Sequence, residues 1–433
     1  MPKVFIFLLL LILFPSLGFS QSWTLDMCLD SVINNNIELE SERLSLDLAQ
    51  IDINETKYRF IPSVNTGVTQ GYNWGQTIDP FTNEFATDRV QFSNLFLSGD
   101  ITLFSGLQTH LRSKINKLSL EGREIDIQIF ERALKMDVVT NFFEILLNKS
   151  ELEIYEKQVD LVRKQAKRIE ILAKAGKIEN GELYQINGEL ERVKARVIRS
   201  RNNLTYSKLL LQQLMNQPLD TSFVVIEQNT RAHINSPNVS SFPEIKQFTY
   251  LEELKMLELK QTKGRYLPNL ALNGSIGSGY SGNNVVTQPN GQFSPKPFRD
   301  QLQDNFYQSV NLGLTIPIFS QYSVKSDILR REIELKKIKL SNTKLTNELS
   351  VELARLKSEI SSTELELEVS RNSLKFAELN FKSVQTKYDQ GAVNLDVLII
   401  AQQSHLEAKM EEKRLFYLLE MNRETLNILC ENN

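Results

Sequence analysis

The same landmarks recur twice along the chain in the same order, and this duplication constrains the fold more than any other feature. Lys57, Arg59, Phe60, Ile61 and Pro62 are echoed by Lys263, Arg265, Tyr266, Leu267 and Pro268. The two prolines, Pro62 and Pro268, stand 206 residues apart, whereas Phe104-Ser105 and Phe319-Ser320, like Gly176 and Gly391, stand 215 apart. The second copy therefore holds nine extra residues between its proline and its Phe-Ser landmark. A fixed period of this kind marks repeated architecture. Shared helix composition does not account for it, because the landmarks are proline, glycine and aromatic residues.

Each copy switches hydrophobic period in the same places. Residues 24 to 58 read as one amphipathic helix, with Leu39, Leu44, Leu46 and Ile51 among its apolar positions, and it must stop before Pro62 because proline disfavours helix behind it. Pro62 and Pro268 then start stretches of period two, over 62–104 and 268–319. Val64, Thr66, Val68, Gln70 and Tyr72 share one face; Asn65, Gly67, Thr69, Gly71 and Asn73 share the other. On the return, Leu95, Leu97, Ile101 and Leu103 share a parity. The second copy repeats this with Leu270, Leu272, Ile276 and Tyr280, then Val310, Leu312, Leu314 and Ile316, so one face is greasy and the other small or polar.

Beyond each hairpin, residues 107–173 and 322–388 read as single helices about 100 Å long at about 1.5 Å per residue. Ile338, Leu349 and Ile360 step by eleven, as do Leu345, Leu356 and Leu367, a spacing that predicts a nearly straight or slightly right-handed packing seam. Gly176 and Gly391 suit left-handed C-terminal caps, and Asn180 and Asn394 suit the caps of the returning helices, 180–216 and 394–430. The polar stretch 219–241 links a first repeat, 21–218, to a second, 242–433. Because each returning helix is about half the outgoing length, two short helices stacked end to end can lie beside one long one.

The N-terminus has one charge, Lys3, an apolar run from Val4 to Leu13, Pro15, and the small residues Gly18 and Ser20. This reads as a secretory signal over residues 1–20, too short for the ~20 apolar residues of a spanning helix. No later segment is apolar enough for one either, so a chain like this crosses a bilayer only with strands. Four strands have no second sheet to pack against, and a closed membrane barrel needs at least about eight. Several chains must pool theirs. A strand of ~13 residues at ~3.3 Å each, tilted by ~40°, rises ~33 Å, enough for an apolar band of about 25 Å. Tyr72, Trp74, Phe81, Phe85, Tyr280, Phe293 and Phe298, near the hairpin tips, suit an interfacial aromatic girdle.

The Pro-led hairpins, the Phe-Ser openings, and the tips Ala175-Gly176-Lys177-Ile178 and Gln390-Gly391-Ala392-Val393-Asn394-Leu395-Asp396 together resemble the TolC-type outer membrane efflux proteins, the outer membrane factor family. The resemblance covers essentially the whole mature chain. It implies a mostly helical fold with a small β part: a homotrimer in which four strands per chain complete a twelve-stranded barrel in outer membrane lipid, continued by a helical barrel across the periplasm. It also implies an export duct of a tripartite efflux or type I secretion system, docking to a periplasmic adaptor (membrane fusion) protein and an inner-membrane transporter. Carried over, the adaptor-contact and entrance tips are Gly176, Lys177, Ile178 and Asn180, and Gly391, Ala392, Val393 and Asn394. Acidic residues commonly ring the family's entrance six and nine positions after the second glycine. This chain departs from that pattern with Val397 and Ile400, leaving Asp396 as the nearest acid, where a first-turn acid also simply suits the helix dipole.

Little else carries chemistry. His110, His233 and His405 lie far apart without paired ligands at helix spacing, and no phosphate-binding glycine loop occurs, so the residues call for no metal, no cofactor and no enzymatic role. Fifty Lys and Arg against 53 Asp and Glu, mixed along the helices, exclude the basic footprint of a nucleic-acid partner. Cys28 and Cys430 fall at the two ends of the helical stretch near the same mid-height junction, where an oxidising compartment permits a disulfide; two thiols is the simpler reading. A periplasmic coiled-coil adaptor or structural spacer is the alternative, but adaptors have one helical hairpin, not two with membrane-grade strands.

Overall fold

A computed structural model describes residues 22–79, 81–86, 89–220, 223–227, 238–289 and 291–430. The signal reading of residues 1–20, Pro80, His233 and Pro237 lie outside the described residues. In chain order the elements are β1 (Ser22–Trp23), α1 (Leu25–Asn35), α2 (Ile37–Tyr58), β2 (Ser63–Asn73), β3 (Thr77–Ile78), β4 (Phe85–Ala86), β5 (Val90–Ser105), α3 (Gln108–Lys174) and α4 (Asn180–Leu214). They continue with β6 (Val224–Val225), α5 (Pro243–Lys263), β7 (Asn269–Ser281), β8 (Val285–Thr287), β9 (Phe293–Pro295), α6 (Phe298–Asp304), β10 (Tyr307–Thr315), α7 (Ser323–Asp389) and α8 (Leu395–Cys430). Both α3 and α7 run 67 residues without a break. Among the described residues no helix is long and apolar enough to cross a membrane.

The chain forms two compact units. One comprises residues 1–43, 125–246 and 343–433. Its packing follows heptads, not the eleven-residue steps read from the sequence. Leu353, Leu356, Ile360, Thr363, Leu367 and Ser370 are buried on α7, alternating steps of three and four, and the four apolar ones cluster with Leu415, Leu419 and Leu426 of α8. On α4, Ile186, Val193, Ser200 and Ser207 are buried seven apart. A seven-residue seam is what two helices supercoiled left-handedly present to each other; the eleven-residue steps sampled it only once in about three turns.

One further expectation is corrected in this unit. The helix read over 24–58 is broken at Asn36, which leaves helical conformation at ψ 125°. Its Oδ1 accepts the Leu39 amide at 2.9 Å and its Nδ2 donates to the Leu214 carbonyl at 2.9 Å. A buried amide with a partner 178 positions away outweighs local helix propensity. Within the 219–241 linker, β6 pairs in parallel with β1. Cys28 and Cys430 each carry a thiol and form no disulfide; burial pushes the Cys28 thiol up to about 12.

The other unit comprises residues 44–124 and 247–342. Its sheet has the order β10-β7-β5-β2, antiparallel throughout, and Pro62 and Pro268 directly precede β2 and β7. Direct cross-strand partners share a face, so the register sorts the side chains. Val68 lies opposite Leu95, and the row Leu97, Ile276 and Gln308 shares that face with Ile101, Leu272 and Leu312. A bulge between Thr102 and Phe104 corrects the parity at the strand end: Leu103 has no direct partner and Phe104 stands opposite Leu270. Val64, Val68, Val310, Leu312 and Leu314 are each at least 60% exposed, so this apolar face is uncovered within one chain.

Candidate functional site at the helical turns

Two tight turns join α3 to α4 and α7 to α8, and they have the same backbone. Gly176 takes φ +69° and Gly391 φ +74°. The Lys177 amide donates to the Leu172 carbonyl at 3.0 Å and Gly176 to Ala173 at 2.9 Å; Ala392 donates to Lys387 at 2.9 Å and Gly391 to Tyr388 at 3.0 Å. Both are Schellman caps, which demand a left-handed residue that glycine alone adopts freely. Neither glycine has an atom within 4 Å of where a Cβ would stand, so conformation, not space, fixes the residue.

The returning helices start differently. Asn394 Oδ1 accepts the Val397 amide at 3.3 Å, the expected cap. Asn180 does not cap: it is the first residue of α4, and Glu179 holds the cap position without a side-chain bond. A backbone bond from Glu182 N to the Glu179 carbonyl, 3.2 Å, closes that turn.

Polar links join the two hairpin ends, and none of them was foreseen from the sequence apart from Asp396. Arg168 on α3 pairs with Asp389 on α7. Tyr388 Oη donates to Glu182 Oε2 at 3.2 Å, and burial, then the Glu182 charge, push the Tyr388 phenol up to about 12. Gln165 Nε2 donates to Gln385 Oε1 at 3.2 Å, and Gln185 donates to Asp396. These partners lie 206 to 221 positions apart, so no local spacing announces them. Beneath them Val159, Val162, Ile169, Ile186, Val193, Leu395 and Leu398 make one apolar cluster drawn from three of the helices, with Phe381, Val384 and Tyr388 of α7 against it. Lys177, Ile178, Gly391, Ala392, Val393 and Asn394 line a cleft of about 760 Å³ between the turns.

The arrangement is a pair of hairpin ends held by apolar packing and a few exchangeable polar bonds. Residues 28–217 match the family described as outer membrane efflux protein. That match spans less than half of the chain. The chain's fold is that of solved channels across nearly its full length. CusC, described in terms of transmembrane channel formation, is 14% identical with a TM-score of 0.77, covering 96% of this chain and 95% of its own. The outer membrane protein VceC from Vibrio cholerae is 12% identical with a TM-score of 0.75, covering 94% and 95%. The Campylobacter jejuni CmeC outer membrane channel is 12% identical with a TM-score of 0.77, covering 94% and 85%. No curated protein matches the chain by sequence.

The positions after the second turn are apolar and exposed: Val397 keeps 41% and Ile400 65% of its surface. Asp396 is exposed but engaged by Gln185. His405 packs on Phe381 with ring centroids 5.7 Å apart, a structural placement, and burial with Lys409 beside it lowers its pKa.

Proposed function

We propose that this chain is the outer-membrane part of an export duct that works as a homotrimer, its twelve strands closing one barrel and its helices continuing the passage into the periplasm. One observation carries the reading. A four-stranded sheet with an uncovered apolar face ends in two strands, β2 and β10, each paired on one side only. In lipid an open edge leaves backbone groups unsatisfied, so a sheet whose greasy side faces lipid must close on itself. Four strands are too few for a barrel of about eight or more, and copies of the same chain supply compatible edges. The opposite, polar face then lines the interior.

On this reading residues 21–218 and 242–433 are two equivalent repeats of the wall, joined by the 219–241 linker, and the turns at Gly176–Asn180 and Gly391–Asn394 are the periplasmic entrance that meets an adaptor. Energy comes from an inner-membrane transporter bound through that adaptor, for efflux or for type I secretion; the duct is passive. Purified protein in detergent is expected to have the mass of three chains and to conduct ions in planar bilayers. A monomer that never conducts would overturn the reading, and cross-linking from Lys177 in native membranes tests the adaptor contact.

A further inference from the structure

The polar face of the sheet is not uniformly small. Four aromatic rings lie on it at the hairpin-loop end, each seated on a glycine. In register, Gly67, Phe96, Gly277 and Tyr307 form one row across all four strands. Gly71, Phe92 and Ser281 form another. A Cβ on Gly67 would stand 2.8 Å from the far edge of the Phe96 ring, one on Gly71 2.8 Å from Phe92 Cζ, and one on Gly277 2.7 Å from Tyr307 Cζ. Because the tip of each ring reaches the neighbouring strand, the ring leans along the sheet and does not stand away from it. Phe81, expected from the sequence in the interfacial girdle, instead folds from the first hairpin loop onto Gly279 of this polar face in the same way.

That last ring is held from beneath. The carboxylate of Asp79, 1% exposed, accepts the amides of Phe81 at 2.9 Å and Thr82 at 3.2 Å and the hydroxyl of Ser281. Gln301 of the second hairpin loop, itself fully buried, accepts the Ser281 amide at 2.9 Å and donates back to its carbonyl at 3.0 Å. A buried, satisfied network spanning both loops fixes a side chain's position as local loop geometry does not.

We propose that Phe81, Phe92, Phe96 and Tyr307 form an aromatic collar on the inner wall of the duct that binds planar aromatic cations in transit. Rings laid along a wall keep one face open, and an open face attracts planar and cationic groups by stacking and cation–π contact. Tyr307 is 42% exposed, and Phe92 and Phe96 are half-buried. The surrounding positions of the same face, Asn65, Thr69, Asn94 and Ser98, are polar, so the collar is the one broad apolar surface among the described residues of that face. Covering glycine with an aromatic also steadies a strand, and leucine preserves that cover while removing the π face.

The inference rests on the barrel reading. The test is single-channel recording of the purified full-length protein in planar bilayers, with ethidium or the non-aromatic cation tetraethylammonium added on the hairpin-loop side. Ethidium is expected to interrupt the current at concentrations about ten-fold below tetraethylammonium, and Phe96→Leu with Tyr307→Leu to raise its half-blocking concentration about ten-fold while the open current in potassium chloride is kept. Equal block by the two cations in the wild-type protein overturns the collar whether or not the leucine variant assembles. So does undiminished ethidium block in an assembled leucine variant. Absence of any conductance in the wild-type protein refutes the barrel reading instead.

Discussion

Replacing Leu398 by alanine is expected to loosen the hairpin ends far more than removing the ion pair above them. Leu395 and Leu398 are 1% and 0% exposed, inside the cluster shared by both hairpins. Deleting a fully buried leucine side chain costs about 2–5 kcal/mol, and ~3 kcal/mol is about a hundred-fold in an opening equilibrium. Arg168 and Asp389 keep 52% and 38% of their side chains in water. A pair so exposed contributes about 0.2–1 kcal/mol, no more than about five-fold. Tyr388→Phe falls between: it removes a single hydrogen bond of ~1 kcal/mol and keeps the ring. Hydrogen exchange of segments 159–169 and 395–406 reads the opening directly, and single-channel current reads its effect on the duct, with helicity by circular dichroism as the check on folding. Leu398→Ala should speed exchange and raise the current well above Arg168→Ala. If Arg168→Ala equals or exceeds Leu398→Ala in both, the ends are held by the ion pair and the ranking is wrong.

Asn36→Ala loses both the Leu39 cap and the bond to Leu214 and should cost about 1–2 kcal/mol in denaturant unfolding; an unchanged midpoint would mean the break between α1 and α2 is set elsewhere. Gly391→Ala should destabilise by about 1 kcal/mol through backbone conformation alone, with Gly391→Asn closer to wild type. The lowered His405 pKa means the unfolded chain takes up its proton first as pH falls, so stability present above about 6.5 is lost on acidification. His405→Phe should flatten the fall in melting temperature from pH 7 to pH 5. Native alkylation at pH 8 should label Cys430 before Cys28, whose thiol is fully buried and raised to about 12, and denaturation without reductant should release both thiols to mass spectrometry.

Much of this protein was decided by its sequence. Proline ahead of a period of two, Phe-Ser ahead of a period near 3.6, and glycine at each reversal are local rules, and they announced long helices, alternating strands and the two left-handed caps. The alternation of Val64 to Tyr72 and of Leu270 to Tyr280 likewise gave the apolar and polar faces before any pairing was known.

What tertiary structure alone decided depends on partners far apart in the chain. Asn36 breaks a helix because it meets Leu214, Leu103 leaves the strand parity because a bulge forms opposite β7, and Asn180 yields its cap although Asn394 keeps the same role. The links Arg168–Asp389, Tyr388–Glu182 and Gln185–Asp396 join residues more than 200 positions apart. So does the bond from Ser281 to Asp79. Phe96 and Tyr307 look in sequence like stray aromatics on a polar face; only the register, which places glycines beside them, gives them a common position. Local periodicity specifies an element and its faces, whereas the register between elements depends on which surfaces meet, and that is set once the chain has packed.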